Sequence, residues 1–224
     1  MNITILTGAG ISAESGIKTF RDANGLWEGH DVMEVATPEG FAKNPALVLD
    51  FYNQRRRQLL EVKPNAAHLA LAQLQEQHNV YVITQNVDDL HERAGSKNVL
   101  HLHGELLKIR SSGNSKDIKY WDKDIQVGDL CEKGHQWRPH IVWFGEEVPA
   151  LDKAISIVEK ADVVIIVGTS MQVYPAAGLM QYAPQHASLY FVDPKPSLSS
   201  NSKLTVVAEK ASTGVLKVVE MINN

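Results

Sequence analysis

Each apolar run of this sequence ends in small or polar residues, where more core would be expected. The run at residues 3–7 gives way to Gly8-Ala9-Gly10, and the run at 80–83 to Thr84-Gln85-Asn86. The run at 163–167 gives way to Gly168-Thr169-Ser170, and the run at 189–192 to Asp193. Gly8-Ala9-Gly10-Ile11-Ser12-Ala13 has the form G-x-G-x-x-A. Glycines let a backbone approach a pyrophosphate, and the free N–H groups of a helix start attract an anion. A tight strand-to-helix turn with no ligand has the same form. No strand leads into an acidic residue about 20 positions on, which disfavours a hydride-transferring dehydrogenase.

A second group of residues has helical spacing. Val48, Tyr52, Arg55 and Leu59 recur at intervals of three and four, which places them on one stripe of a helix over residues 45–62. An arginine on an apolar stripe needs an anionic partner. That partner is either a ligand carboxylate or an internal acid, or else the guanidinium snorkels to water. Arg56 and Arg57 follow directly, so a solvated basic face is also open.

The elements that would position these groups alternate. Continuous β-branched runs predict strands covered on both faces. Between them lie predicted helices over 45–62, from an Asn65 N-cap onward (burying Ala67, Ala70, Leu71 and Leu74), and over 151–160 and 211–222. Alternating strands and helices imply a parallel α/β sheet, whose ligands bind at the carboxyl ends of the strands. Residues 107–140 break the pattern: they are polar, with Gly113, Gly128 and Gly134 as turn signals. They are expected to form a small inserted module between 1–106 and 141–224, held by a cluster of Tyr120, Trp121 and Trp137. Residues 17–35 are irregular and are expected to form a loop over the site.

Composition narrows the possibilities. The 224 residues carry a net charge of −4, 44% hydrophobic residues and one cysteine. That excludes an internal disulfide and a zinc site built on several thiolates. It also gives no basic footprint for nucleic acid. No apolar run approaches the roughly 20 residues of a membrane span, and the strand-like start shows no signal peptide. A cytoplasmic monomer is expected.

The motifs taken together are more specific. Gly8-Ala9-Gly10-Ile11-Ser12, Glu14-Ser15-Gly16-Ile17 and Phe20-Arg21 resemble the first motif of the sirtuins, the NAD-dependent protein deacylases. Thr84-Gln85-Asn86-Val87-Asp88, His101-Leu102-His103-Gly104, Val142-Trp143-Phe144-Gly145-Glu146 and Gly168-Thr169-Ser170 continue the resemblance in family order. It implies a Rossmann-like parallel sheet with helices on both faces and a small inserted module. It also implies NAD as cofactor and acyl-lysine proteins as partners, with nicotinamide and O-acyl-ADP-ribose released. His103 matches the catalytic histidine; imidazole titrates near neutral pH and can serve as a base. As one of nine histidines it would otherwise read as a core or surface residue.

The resemblance assigns Asn86 and Asp88 to the nicotinamide and ribose; by residue type alone both could cap the helix that follows. Gln85 would orient the ribose hydroxyls, Phe20 cover the reaction centre, and Arg21 face the phosphates. Gly8, Ala9, Gly10, Ile11, Glu14, Gly168, Thr169 and Ser170 complete the cofactor set, with Ala211 as an adenine contact. Asp193 stands where the family usually has Asn. It either accepts the adenosine ribose hydroxyls or is a turn residue before Pro194. Val142, Phe144, Gly145 and Glu146 would pair with substrate backbone as an added strand.

Tyr52 and Arg55 match the Tyr-x-x-Arg of desuccinylase-like sirtuins, which implies removal of succinyl, malonyl and acetyl groups. A guanidinium binds a distal carboxylate bidentately, and a phenol adds a hydrogen bond. The alternatives are a protein ADP-ribosyltransferase using the same NAD-cleaving site, and a non-catalytic NAD- or acyl-peptide-binding module. Sirtuins of this size normally hold zinc on four cysteines of the module. Here only Cys131 remains, with Ser111 and Ser112 near the first ligand pair and His135 and His140 nearby, so zinc is not expected.

Overall fold

The computed structural model describes residues 1–18, 26–27, 29–170 and 176–223. Strand β1 (Asn2–Thr7) leads into two 3-10 turns, Ala9–Ile11 and Ala13–Ser15. Strands β2 (Leu26–Trp27) and β3 (His30–Asp31) pair as a short antiparallel ladder. Helices α1 (Val32–Val35), α2 (Pro38–Lys43), α3 (Pro45–Glu61) and α4 (Ala66–Gln73) follow. Next come β4 (Asn79–Thr84), α5 (Leu90–Arg93) and β5 (Val99–His101). The insert comprises β6 (Gly104–Ser111), β7 (Asn114–Tyr120) and β8 (Trp137–Ile141). The chain closes with α6 (Leu151–Val158), β9 (Val163–Val167), a 3-10 helix (Ala176–Tyr182), β10 (Ser188–Val192), β11 (Leu204–Val207) and α7 (Ala211–Asn223).

The main sheet is parallel throughout, in the order β11-β10-β9-β1-β4-β5. The strand order reverses at β1, between β4 and β9, and this is where an open α/β sheet leaves a crevice. Alternation along the strands supplies both faces. Ile3, Ile5, Val80, Val82, Val163 and Ile165 pack under α4 and α7. Leu6, Ile83, Val164, Ile166 and Phe191 pack on the other face, under α6. Asn65 caps α4 as expected, its side chain accepting from the Ala67 N–H at 3.0 Å.

The insert is a three-stranded antiparallel sheet in the order β7-β6-β8. Its core differs from the expected aromatic cluster. Tyr120 is 61% exposed, and Ile109, Ile125, Cys131 and Trp137 pack with Leu49 of α3, with Trp121 at the edge. β7 is an edge strand of this sheet and is exposed along nearly its whole length, Tyr120 included.

Arg56 is a second departure. It is fully buried rather than on a solvated face. Its Nε donates to the Leu106 carbonyl at 3.1 Å, and its Nη1 to Asn53 Oδ1 at 2.8 Å. Asn53 in turn holds the backbone of Ile125. Arg56 thus fastens α3 to the neck and interior of the insert, while Arg57 pairs with Asp124 at the surface.

The module's donors do not fit a tetrahedral zinc centre. Ser111 Oγ meets Cys131 Sγ at 3.4 Å, and the His135 ring lies over Gly113, where a Cβ would come within 2.4 Å of it. His140 lies elsewhere, on β8, paired in register with Glu105. One thiol, one hydroxyl and an imidazole packed on a turn are not four zinc ligands. No described helix is long and apolar enough to cross a membrane.

Candidate active site

A cleft of about 320 Å³ opens at the carboxyl ends of β1, β4, β5 and β9. Gly8, Ala9, Gly10, Gln85, Asn86, Asp88, His103, Gly168, Thr169 and Ser170 line it, as the strand-end pattern anticipated. Val142, Phe144, Gly145, Glu146 and Tyr52 form the side towards the insert.

The glycines have an additional use here. A Cβ on Gly10 would sit 2.6 Å from the Gly168 Cα, and Gly168 itself has φ +62°. The loops after β1 and β9 are pressed backbone to backbone, with the Gly10 N–H donating to the Gly168 carbonyl at 2.8 Å. Only glycine permits that approach, and it locks the two loops together as the floor of the cleft.

His103 is oriented by its backbone neighbour. Its Nδ1 lies 3.0 Å from the Gln85 carbonyl, an acceptor, so Nδ1 carries the proton and Nε2 is left as a base. Burial holds its pKa below the ordinary histidine value, partly offset by that carbonyl. The ring is therefore neutral and basic at physiological pH.

Ser12 links the two polar residues beside it. Its hydroxyl accepts from Asn86 Nδ2 at 3.1 Å and donates to Asp88 Oδ2 at 3.0 Å. Asp88 Oδ1 accepts from the Leu90 N–H at 3.1 Å, so this aspartate does start α5, while the Asn86 amide is turned to Ser12 instead. Burial raises the Asp88 pKa to about 6, against the lowering pull of the Leu90 and Ser12 bonds. Gln85 Nε2 reaches Thr169 Oγ1 at 3.1 Å and ties the β4 and β9 ends together.

A side pocket of about 50 Å³ adjoins the cleft. It shares Ile17, Lys18, Trp27, Tyr52, Val87 and Asp88 with the cleft and adds Arg55, Gln58, Leu59 and Leu106. The Arg55 guanidinium lies over the Phe51 ring at 3.6 Å and donates to the Phe51 carbonyl at 2.8 Å. Tyr52 is wholly buried, and burial pushes its phenol well above the usual value. Its hydroxyl oxygen accepts from Trp143 Nε1 at 2.9 Å, which leaves the phenolic proton to donate.

Residues 142–146 are a turn rather than a strand, with Gly145 at φ +88°. Glu146 is the anchor of that turn. Its carboxylate takes Arg138 at 2.7 and 3.2 Å, Arg110 at 2.7 Å and the Trp143 N–H at 2.8 Å. These contacts outweigh burial and hold its pKa below the carboxylate norm. Its charge is spent on the turn, whose N–H groups at Val142, Phe144 and Glu146 are likewise held by the His103, Ala36 and Trp143 carbonyls.

Four assigned residues are not brought to the cleft wall. Ile11 is core. Glu14 holds the start of α7, accepting from the Ser212 N–H at 2.9 Å and hydroxyl at 2.8 Å. Ala211 is buried in the first turn of that helix. Asp193 is buried and accepts from the Lys195 N–H at 2.9 Å, the contact of a turn aspartate. Phe20 and Arg21 lie outside the described residues. Ser12 and Trp143 are further site residues, standing inside the Gly8–Ser12 and Val142–Glu146 motifs but not marked by them. Their partners are 74 to 91 positions away and have no local signature.

A parallel sheet with a crevice at its strand reversal, a neutral base on one wall and glycine loops on the floor define a nucleotide-dependent enzyme of the Rossmann type. Residues 8–175 match the Sir2 family model, and the chain belongs to that family. An NAD-dependent protein deacylase of Bacteroides thetaiotaomicron is 53% identical over 228 residues, covering 99% of this chain and 97% of that protein. One of Helicobacter pylori is 63% identical over 194 residues, covering 87% and 85%. A Sir2 homologue bound to ADP-ribose superposes with TM-score 0.89 at 39% identity, covering 99% of this chain and 91% of that one. A Sir2 homologue in complex with NAD gives TM-score 0.88 at 40% identity, covering 99% and 89%.

Proposed function

We infer that this protein is an NAD-dependent protein-lysine deacylase that prefers acyl groups ending in a carboxylate. The observation that carries the preference is the side pocket. It is an apolar slot opening from the reaction cleft, with one guanidinium and one phenolic proton in its wall. A distal carboxylate there would meet a charge-assisted hydrogen bond from Arg55 and a neutral one from Tyr52. An acetyl group offers a carboxylate to neither. Stacking on Phe51 and the bond to its carbonyl hold the guanidinium in place before substrate arrives, which lowers the ordering cost of binding.

The site fits NAD on its own residues. Gly8, Gly10 and Gly168 leave the cleft floor bare of side chains, which lets a pyrophosphate approach the backbone, and the Asn86 amide can both donate to and accept from a carboxamide. When bound, NAD supplies an anomeric carbon that the acyl oxygen attacks as nicotinamide leaves. The protein's part is positioning and proton transfer. His103 Nε2 takes a proton from a ribose hydroxyl. Asn86 and Asp88, joined through Ser12, hold the nicotinamide ribose end. The 142–146 turn closes the substrate side of the cleft, and its Trp143 fixes Tyr52.

Mass spectrometry on matched succinyl-, malonyl- and acetyl-lysine peptides, with and without NAD, tests this reading. Faster NAD-dependent loss of the acidic acyl groups supports it. Faster deacetylation would contradict the preference, and modification of protein with ADP-ribose in place of deacylation would contradict the activity.

A further inference from the structure

His101, the last residue of β5, takes no part in the chemistry described above, yet both of its ring nitrogens are engaged. Nδ1 lies 2.9 Å from the Asn86 carbonyl oxygen, and Nε2 lies 2.8 Å from Glu92 Oε1. A carbonyl oxygen and a carboxylate can only accept. A ring that faces an acceptor at each nitrogen donates from each, and so carries both protons. Its side chain is 8% exposed, and the charge is answered locally. Atoms of Glu92, His101 and Glu105 all lie within 4.8 Å of one another, and Lys108 pairs with Glu105 at 2.5 Å.

Three polar groups of Asn86 are held. Its N–H donates to Thr84 Oγ1 at 3.0 Å, its side-chain amide donates to Ser12 Oγ at 3.1 Å, and its carbonyl receives His101. Of these contacts only the last is charged, and only the last can be switched off by a proton.

We propose that His101, steadied by Glu92, is the positioning residue that fixes the Asn86 backbone and so aims the Asn86 amide into the cleft. This rests on the reading that Asn86 meets the nicotinamide end of NAD. Loss of a proton from His101 turns one donor into a lone pair facing an acceptor, and the cage around Asn86 loosens. The groups facing the ring are Glu92 and His91 of α5, Asp88 of the preceding loop, and Glu105 and Lys108 of β6. Burial alone would lower the His101 pKa. The Glu92 contact, the Asn86 carbonyl and Glu105 outweigh it and hold the pKa above the ordinary value. The contribution is therefore complete at low pH and is lost as pH rises through that raised value. His103 and Asp88 work in the opposite sense and supply an acid limb. A bell-shaped profile of kcat/KM for NAD follows, with its alkaline limb set by His101.

The test is the pH profile of kcat/KM for NAD in the wild type, Glu92→Gln and His101→Gln, with histidine ring NMR of the same proteins. Glu92 is at the surface, so Glu92→Gln spares the core. It should move the alkaline limb down by about one pH unit, the low end of the effect of a close opposite charge. The acid limb should stay in place, and the NMR titration of His101 should move in step. His101→Gln should raise KM for NAD several-fold and abolish the limb. Superimposable alkaline limbs for the wild type and Glu92→Gln, or a neutral His101 ring at pH 7, overturns the proposal. Asn86→Ala serves as the control. If it leaves KM for NAD unchanged, the assignment of Asn86 has failed; if it raises KM while Glu92→Gln does nothing, the His101 proposal alone has failed.

Discussion

The two ends of the cleft are built by different means. At the cofactor end, loops at four parallel strand ends bring Asn86, Asp88 and His103 together, and backbone contacts such as Gly10 against Gly168 set their spacing. At the acyl end, side chains of one helix, α3, meet the turn that follows β8, and the side-chain contacts Arg138–Glu146 and Trp143–Tyr52 set the spacing. A frame spaced by backbone suits a ligand that never changes. Side-chain recognition lets one or two substitutions retune the acyl group while the reaction machinery stays intact.

That division can be broken by mutation. The largest effect is expected from His103→Ala. Loss of a general base should lower kcat by about 10²–10⁴-fold, equally for succinyl and acetyl peptides. It should also remove the His103 part of the acid limb and leave the part set by Asp88, whose pKa burial raises to about 6. Ser12→Ala should come next. It leaves the Asn86 amide and a buried Asp88 oxygen without their link, a loss of about 1–3 kcal/mol or roughly 5–150-fold in kcat/KM for NAD, with the acyl ratio unchanged. Tyr52→Phe should be smallest. It removes the phenolic hydrogen bond to an acidic acyl group, about 0.5–1.5 kcal/mol or roughly 2–10-fold on those substrates alone, and it also takes away the acceptor of the Trp143 indole N–H, a loss common to all substrates that leaves the acyl ratio unchanged. Steady-state kinetics on paired peptides distinguishes all three. A change in acyl ratio from Ser12→Ala, or none from Tyr52→Phe, would blur the boundary between the two ends.

The cofactor end was legible because its signals are local. A β-branched run followed by Gly-Ala-Gly or Gly-Thr-Ser states both the strand and its loop. The α3 stripe was legible through helical spacing, and it placed Tyr52 and Arg55 on one wall. What escaped were contacts between distant segments. Glu14 has the position of a cofactor residue but holds the start of α7. Arg56 reads as surface charge, yet Leu106 and Asn53 draw it into the core. Nothing near Tyr120 or Ile125 in sequence says which of them the insert buries, because that depends on how the insert meets Leu49 of α3.

The division of labour is tested most directly by Arg55→Met, assayed on matched succinyl- and acetyl-lysine peptides. Loss of a charge-assisted contact worth about 1.5–3 kcal/mol should lower kcat/KM for desuccinylation by roughly 10–100-fold. Deacetylation should stay within about twofold, because the guanidinium is seated on the Phe51 ring and carbonyl, at the acyl end. Equal losses on the two substrates would mean that α3 supports the whole cleft rather than reading the acyl group, and would contradict the account.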